Sequence, residues 1–188
     1  MQLNLELPLK TLSFGNVSVC ILRELFERGL NPNIFPIGNV DISSQNINED
    51  FGRWLQNCIN KSFKSYKRNF TCLKNWHFNG SHSRISDKQC LLSYYELDSP
   101  TETELNIIKN QDKVILTSKS SVELFKDYGA DNVFYVPLGF DKWSFSVQNK
   151  KAYNDRTVWF ITGKYEHRKR TAKILQNWAK KYGNNRDH

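Results

Sequence analysis

Long apolar runs are missing from this sequence. Its most hydrophobic stretches, residues 114–116 and 158–161, fall far short of the roughly 20 consecutive apolar residues that a membrane-spanning helix requires. No transmembrane helix is expected. The N-terminus, MQLNLELPLK, lacks the basic start, continuous apolar core and small-residue cleavage site of a secretory signal, so a cytoplasmic location is the expectation. Cys20, Cys58, Cys72 and Cys90 form no C-x-x-C pair and have no histidine at zinc-finger spacing. They read as reduced cysteines in or near a core, and no metal site is expected. There is no G-x-x-x-x-G-K-[ST] loop, and no serine, cysteine or aspartate stands in a nucleophile elbow or triad setting, which counts against P-loop and hydrolase chemistry. Internal repeats and low-complexity segments are lacking as well. The N-x-[ST] matches at Asn16, Asn69 and Asn79 arise often by chance and would matter only in a secreted protein.

What is present is the composition of a globular protein: 39% hydrophobic, 13% aromatic and 24% charged residues over 188 positions. That length suits one well-buried domain plus the opening of another, and two full α/β domains do not fit. The formal net charge of +8 favours phosphate-bearing partners through long-range attraction. Nucleic acid, acidic membrane lipid and nucleotide-sugar diphosphate all meet that description. The cations gather at two places, Lys61, Lys64, Lys67 and Arg68 in one and Lys164, Arg168, Lys169 and Arg170 in the other, although such clusters are commonly solvated faces.

Hydrophobic periodicity alternates along the chain. A short apolar segment at 11–14 reads as a first strand, and Val17, Cys20, Ile21, Leu25 and Phe26 then recur at helical spacing up to Gly29. Ile34 and Phe35 suit a second strand, residues 49–64 a helix, and 70–73 a third strand. The pattern continues with strand 90–94, helix 102–109, strand 113–117, helix 118–128 and strand 133–136, with Val114, Ile115, Val133 and Val136 expected on buried central strands. This alternation predicts a Rossmann-like α/β domain over 1–140, its mostly parallel sheet covered by helices on both faces. Residues 141–156 turn polar and read as a linker. After them come a strand at 157–162, a loop and an amphipathic helix at 168–182, the expected start of a second α/β domain over 157–188.

Several residues stand where such folds place ligands. Gly15 and Asn16 follow the first strand, His77 follows the third and Glu96 the fourth, and sites in parallel sheets form at the carboxyl ends of strands. The plain alternatives are a turn glycine, a loop histidine and an exposed carboxylate. Ser118 most economically caps the helix that follows it. The strongest chemical pattern is FITGKYEHRKR, where Gly163, Arg168 and Lys169 precede a helix. Cations at a helix N-terminus oppose the dipole unless an anion is bound, so an anion site is the reading there.

Taken together, DKVILTSKSSVELFKDYGADNVFYVPLGFDKWSF and WFITGKYEHRKRTAKILQNWAKKYGN resemble the middle of a GT-B glycosyltransferase of the large retaining family 4 type. Ser118, Gly129, Val136, Pro137, Gly139, Asp141 and Phe145 match the order that closes the first domain of that family, and Gly163, Arg168 and Lys169 resemble the donor-diphosphate site that opens the second. SYYELDSP resembles a segment of related transferases. The resemblance implies a GT-B acceptor-side domain and a parent that transfers a sugar from a UDP- or GDP-type nucleotide-sugar to an acceptor hydroxyl on a glycan, lipid or protein. It implies no cofactor and no metal, with peripheral contact to a membrane among the partners. By it, Gly15 faces acceptor and donor, His77 contacts the donor sugar, and Asn16, Glu96 and Ser118 are further contact candidates. Such enzymes hold the donor mainly in the second domain, so the chain as given is expected to be inactive. The rival reading is a nucleic-acid or phosphate-binding module that uses the two basic stretches, with Tyr66, Phe70 and Tyr165 as stacking partners.

Overall fold

The computed structural model describes residues 3–147 and 157–184. The chain divides into two compact units, Met1–Phe145 and Ser146–His188. In the first unit, β1 (Leu3–Leu7), α1 (Ser13–Glu27), β2 (Asn33–Pro36), α2 (Glu49–Ser65), β3 (Thr71–Asn75) and β4 (Gln89–Ser93) are followed by α3 (Glu102–Lys109), β5 (Lys113–Leu116), α4 (Lys119–Asp127) and β6 (Val133–Tyr135). The six strands form one all-parallel sheet in the order β2-β1-β3-β4-β5-β6. This is a Rossmann-like α/β fold, and the strand order reverses direction between β1 and β3.

Parallel pairing sets which side chains share a face. Glu6, Lys74, Leu91, Val114 and Val133 lie in one row across the sheet, and from Lys74 onward all are buried. The apolar part of that row packs with Ile107 and Ile108 of α3 and Val122 and Phe125 of α4. On the opposite face Leu5, Leu7 and Ile34 pack with Val19 and Leu22 of α1 and with Phe51, Leu55 and Cys58 of α2. The cover on this second face thins toward β6: Leu73 and Ile115 are half-buried and Phe134 is exposed.

α2 also closes the outer edge of β2. The Ser62 hydroxyl accepts the Ile34 N–H at 2.7 Å, and its own proton is offered to Ile34 O at 3.0 Å and Cys58 O at 2.6 Å. A serine inside a helix thereby does the work of a neighbouring strand.

The sequence-derived elements from α2 to β5 fall within a residue or two of these bounds, and two expectations are corrected. The first strand is 3–7 and not 11–14, because Asn4 and Glu6 break its apolar run yet both point inward to polar partners: Asn4 donates to Ser86 Oγ at 2.9 Å and Glu6 pairs with Lys74 at 3.0 Å. Val136 lies just past β6 at 48% exposure, since β6 is the edge of the sheet and not a central strand.

No helix joins β3 to β4. The connecting loop is held down by polar contacts: Lys74 Nζ donates to Ser83 O at 3.2 Å and Ser83 Oγ at 3.1 Å, and Gln111 Nε2 donates to Ser81 O at 3.0 Å. Arg84 reaches Asn110 O at 3.1 Å and Asp87 O at 2.8 Å and pairs with Asp112. No helix among the described residues is long and apolar enough to cross a membrane.

The second unit contains a short 3-10 turn at His167–Lys169 and α5 (Thr171–Tyr182). The strand expected at 157–162 is not formed, and Val158, Trp159, Phe160 and Ile161 are exposed. A single strand has no ladder to join there, so apolar pattern alone does not make one.

Lys74 is 1% exposed, and its charge is balanced chiefly by Glu6. Lys74→Met should strand the Glu6 carboxylate and destabilise the fold by about 3–5 kcal/mol, and adding Glu6→Leu should recover most of the loss. Urea midpoints of the two variants against the parent chain measure both effects.

Candidate functional site

Doubly wound sheets bring ligands to the carboxyl ends of the strands where the order reverses, here between β1 and β3. The loop after β1 runs directly into α1. Leu12 occupies the cap position without a side-chain cap bond, and Ser13 enters the helix with φ of 31°, a conformation that costs free energy for a residue with a Cβ. Gly15 follows in the first turn, and its N–H donates to Leu12 O at 2.7 Å. A Cβ on Gly15 would stand 2.0 Å from Lys10 O. Close approach of the loop to the helix is what requires glycine here.

β3 delivers Asn75, Trp76 and His77 to the same place. The buried Asn75 amide donates to Phe14 O at 3.0 Å and to Ser18 Oγ at 2.9 Å, tying the strand end to the first turn of α1. The Phe14 ring then gathers the neighbouring side chains, with His77 at 4.3 Å, Tyr94 at 4.5 Å and Trp76 at 6.0 Å between centroids. Asn75 Oδ1, Ser93 Oγ and Tyr94 OH, all at the ends of β3 and β4, are buried polar atoms without a hydrogen-bond partner among the described residues. Burial pushes the Tyr94 phenol up to about 12, so it stays protonated at neutral pH. The buried polar groups behind this corner are thus an amide and two hydroxyls.

On the far side of α1 a groove of about 890 Å³ runs along the thinly covered sheet face, floored by Leu73, Leu92 and Ile115 and walled by Val17, Cys20 and Ile21. Its other wall is the segment after β6. Lys142 Nζ lies 3.0 Å from Glu27 and 3.5 Å from Glu24, and Trp143 Nε1 donates to Glu27 Oε1 at 2.7 Å. Asp141 accepts the backbone N–H groups of Trp143 at 3.1 Å and Ser144 at 3.0 Å. Burial pushes its carboxyl up, but the Ser144 side chain together with these backbone bonds holds it below the usual range. Asn16 opens onto this groove, and its Oδ1 accepts from Gln45 at 2.5 Å. Cys20 in the wall has its thiol pushed up, first by burial and then by the nearby Asp141, which makes it a weak nucleophile.

The structure thus brings His77 against Phe14, the residue before Gly15, and it places Asn16 on the groove side of the same helix. Glu96 and Ser118 meet elsewhere, in a second cavity of about 490 Å³ between the loop after β4 and the first turn of α4. Ser118 does not cap that helix as expected. It stands at the cap position with no side-chain bond to the first turn, because its hydroxyl is engaged with Ser120 Oγ at 2.7 Å.

Gly163, Arg168 and Lys169 belong to the second unit. Gly163 has φ of 121°, a conformation that favours glycine. Arg168 and Lys169 lie in the 3-10 turn before α5, separated from it by Arg170 with φ of 54°, and the helix begins at Thr171, not at residue 168. Arg168 Nε is already paired with Glu166 at 2.9 Å. Sequence reading named Gly15 and His77 but missed Phe14 and Asn75, whose roles arise only from contacts across the fold. Among the described residues no three His, Cys, Asp or Glu side chains gather closely enough to hold a metal ion. No protein-family model matches the chain, and no curated protein matches it.

Gly15→Ala should force Lys10 or the first turn of α1 to move, because the obstacle is backbone and not a flexible side chain. A loss of about 2 kcal/mol in unfolding free energy is expected, with displacement of the His77 ring resonances in the NMR spectrum of the variant.

Proposed function

We propose that this chain is the acceptor-side domain and second-domain opening of a family 4-like GT-B glycosyltransferase, whose reaction moves a sugar from a nucleotide-sugar to an acceptor hydroxyl. The observation that carries the reading is the packing of His77 against Phe14, the residue before Gly15, at the strand-order reversal of a Rossmann-like sheet. Gly15 lets the loop after β1 pack directly onto the first turn of α1, and His77, exposed at the same end of the sheet, supplies a side chain that can donate or accept a hydrogen bond. In the second unit, Arg168 and Lys169 are the groups that would neutralise a donor diphosphate, in place of a metal. Glu166 is then the group a bound diphosphate displaces from Arg168, since a doubly charged partner offers the guanidinium more than one carboxylate does.

The segment after β6 supports the same reading. Val136, Pro137, Gly139, Asp141 and Phe145 follow the order of the family's domain junction, and Asp141 organises a turn through two backbone bonds where the chain leaves the sheet.

Titration of isotope-labelled chain with UDP- and GDP-sugars tests the proposal. Amide and ring resonances of Gly15 and His77 should shift on addition of the matching nucleotide-sugar. Arg168→Gln/Lys169→Gln should weaken nucleoside diphosphate binding about tenfold or more, from charge-assisted bonds each worth about 1.5–3 kcal/mol. Unmoved Gly15 and His77 resonances, together with a diphosphate affinity indifferent to the double substitution, would refute it.

A further inference from the structure

Asn79 and Gly80 stand in the loop between β3 and β4, and the proposed transfer chemistry uses neither. The sequence contains no other asparagine followed by glycine. The pair occupies the centre of a β-turn closed by Ser81 N, which donates to Phe78 O at 2.9 Å. Gly80 takes a φ of 90°, the positive value that the third position of such a turn requires. Both residues are exposed. Neither the Asn79 carboxamide nor the Gly80 N–H has a hydrogen-bond partner among the described residues.

The flanks of the turn are fixed. Phe78 is 4% exposed, and its ring lies 5.4 Å from those of both Tyr95 and Phe125. Ser81 is fully buried. Its hydroxyl donates to His77 O at 2.5 Å, and its carbonyl accepts from Gln111 Nε2 at 3.0 Å. A solvent-open Asn-Gly pair is thus carried between two anchored residues, one of them bonded to His77.

We infer that Asn79 is a site of spontaneous deamidation and that its isoaspartyl product displaces His77. A base from solvent takes the Gly80 amide proton, and the electron pair left on nitrogen attacks Asn79 Cγ. The N–Cγ bond forms, the Cγ–Nδ2 bond breaks, and Nδ2 leaves as ammonia after taking a proton from solvent. Attack within one chain gains from the proximity of the reacting groups. Water then opens the succinimide. Addition at Cγ breaks the new N–Cγ bond and gives aspartate. Addition at the Asn79 backbone carbonyl breaks its bond to Gly80 N and gives isoaspartate, whose main chain runs through Cγ. Nothing is oxidised or reduced, and water is the only co-reactant.

Glycine leaves the attacking nitrogen uncrowded because it has no Cβ. Asn39 and Asn69 are exposed as well, but Val40 and Phe70 follow them. The isoaspartyl product inserts a methylene between Phe78 and Ser81. With both residues held by packing and hydrogen bonds, the added length passes to the Ser81 contact with His77.

Incubation of the folded 188-residue chain at mildly alkaline pH, followed by peptide mapping with mass spectrometry, tests this. Exchange of ammonia for water at Asn79 should run about tenfold or more faster than at Asn39 or Asn69. Its rate should rise about tenfold per pH unit, as expected where base removes a proton, and isoaspartate should appear beside aspartate. Asn79→Gln should abolish the conversion. The isoaspartyl form, separated by chromatography, should show displaced His77 ring resonances. Freshly prepared Asn79→Asp, which adds the charge without the methylene, should leave them in place. Aspartate without isoaspartate would overturn the inference, as would conversion in urea-unfolded chain with none in the folded chain. It would also fall if the three asparagines converted at equal rates, or if the isoaspartyl form kept the His77 resonances of the parent.

Discussion

A buried ion pair within the sheet, Lys74 with Glu6 at 3.0 Å, constrains much of what surrounds it. Burying two charges is costly unless their remaining hydrogen-bond capacity is met. The Lys74 ammonium meets part of it by donating twice to Ser83, which pins the connection between β3 and β4 against the sheet. A helix would normally cover a crossover between parallel strands. Here a polar layer of Asn4, Ser81, Ser86, Gln89 and Gln111, all buried, takes that place. His77 lies at the start of this pinned loop, so its position beside Phe14 depends on electrostatics deeper in the sheet.

The alternation of strand and helix was legible because helix periodicity is local. Phe51, Leu55 and Cys58 of α2 recur every three or four residues and all face the core. The capping box of α3, where Thr101 accepts from Glu104 N and the Glu104 side chain returns to the Thr101 N–H, is also written in adjacent residues. What escaped were features that depend on distant partners. Asn4 and Glu6 look like breaks in a strand until Ser86 and Lys74 are found opposite them. Residues 157–162 look like a strand, but no ladder forms there. The candidate site divides in the same way. Gly15 and His77 could be named because they follow strands, whereas the Phe14 hub and the Asn75 tie join elements about sixty residues apart in the chain. The Arg168 pairing with Glu166 was within reach, since the two are separated by a single residue.

The two faces of the sheet are unequal. α3 and α4 bury one face as far as Val133, while α1 and α2 cover only the β2-β1 side of the other. The groove beside α1 follows from this imbalance, and the segment 136–145 gains a wall to lie against because no helix occupies it. Polar latches from Lys142 and Trp143 to Glu27 hold that segment to α1 where an apolar seam would otherwise be needed.

The Ser62 contact at the edge of β2 has a consequence for assembly. An unpaired edge strand is a template on which another chain can polymerise. With the Ile34 N–H taken by Ser62 and α2 lying along it, one side of this sheet offers no such template. The opposite edge, β6, is only three residues long, too brief to seed cross-strand growth. Within this sheet, one hydroxyl and one short strand thus limit edge-to-edge pairing.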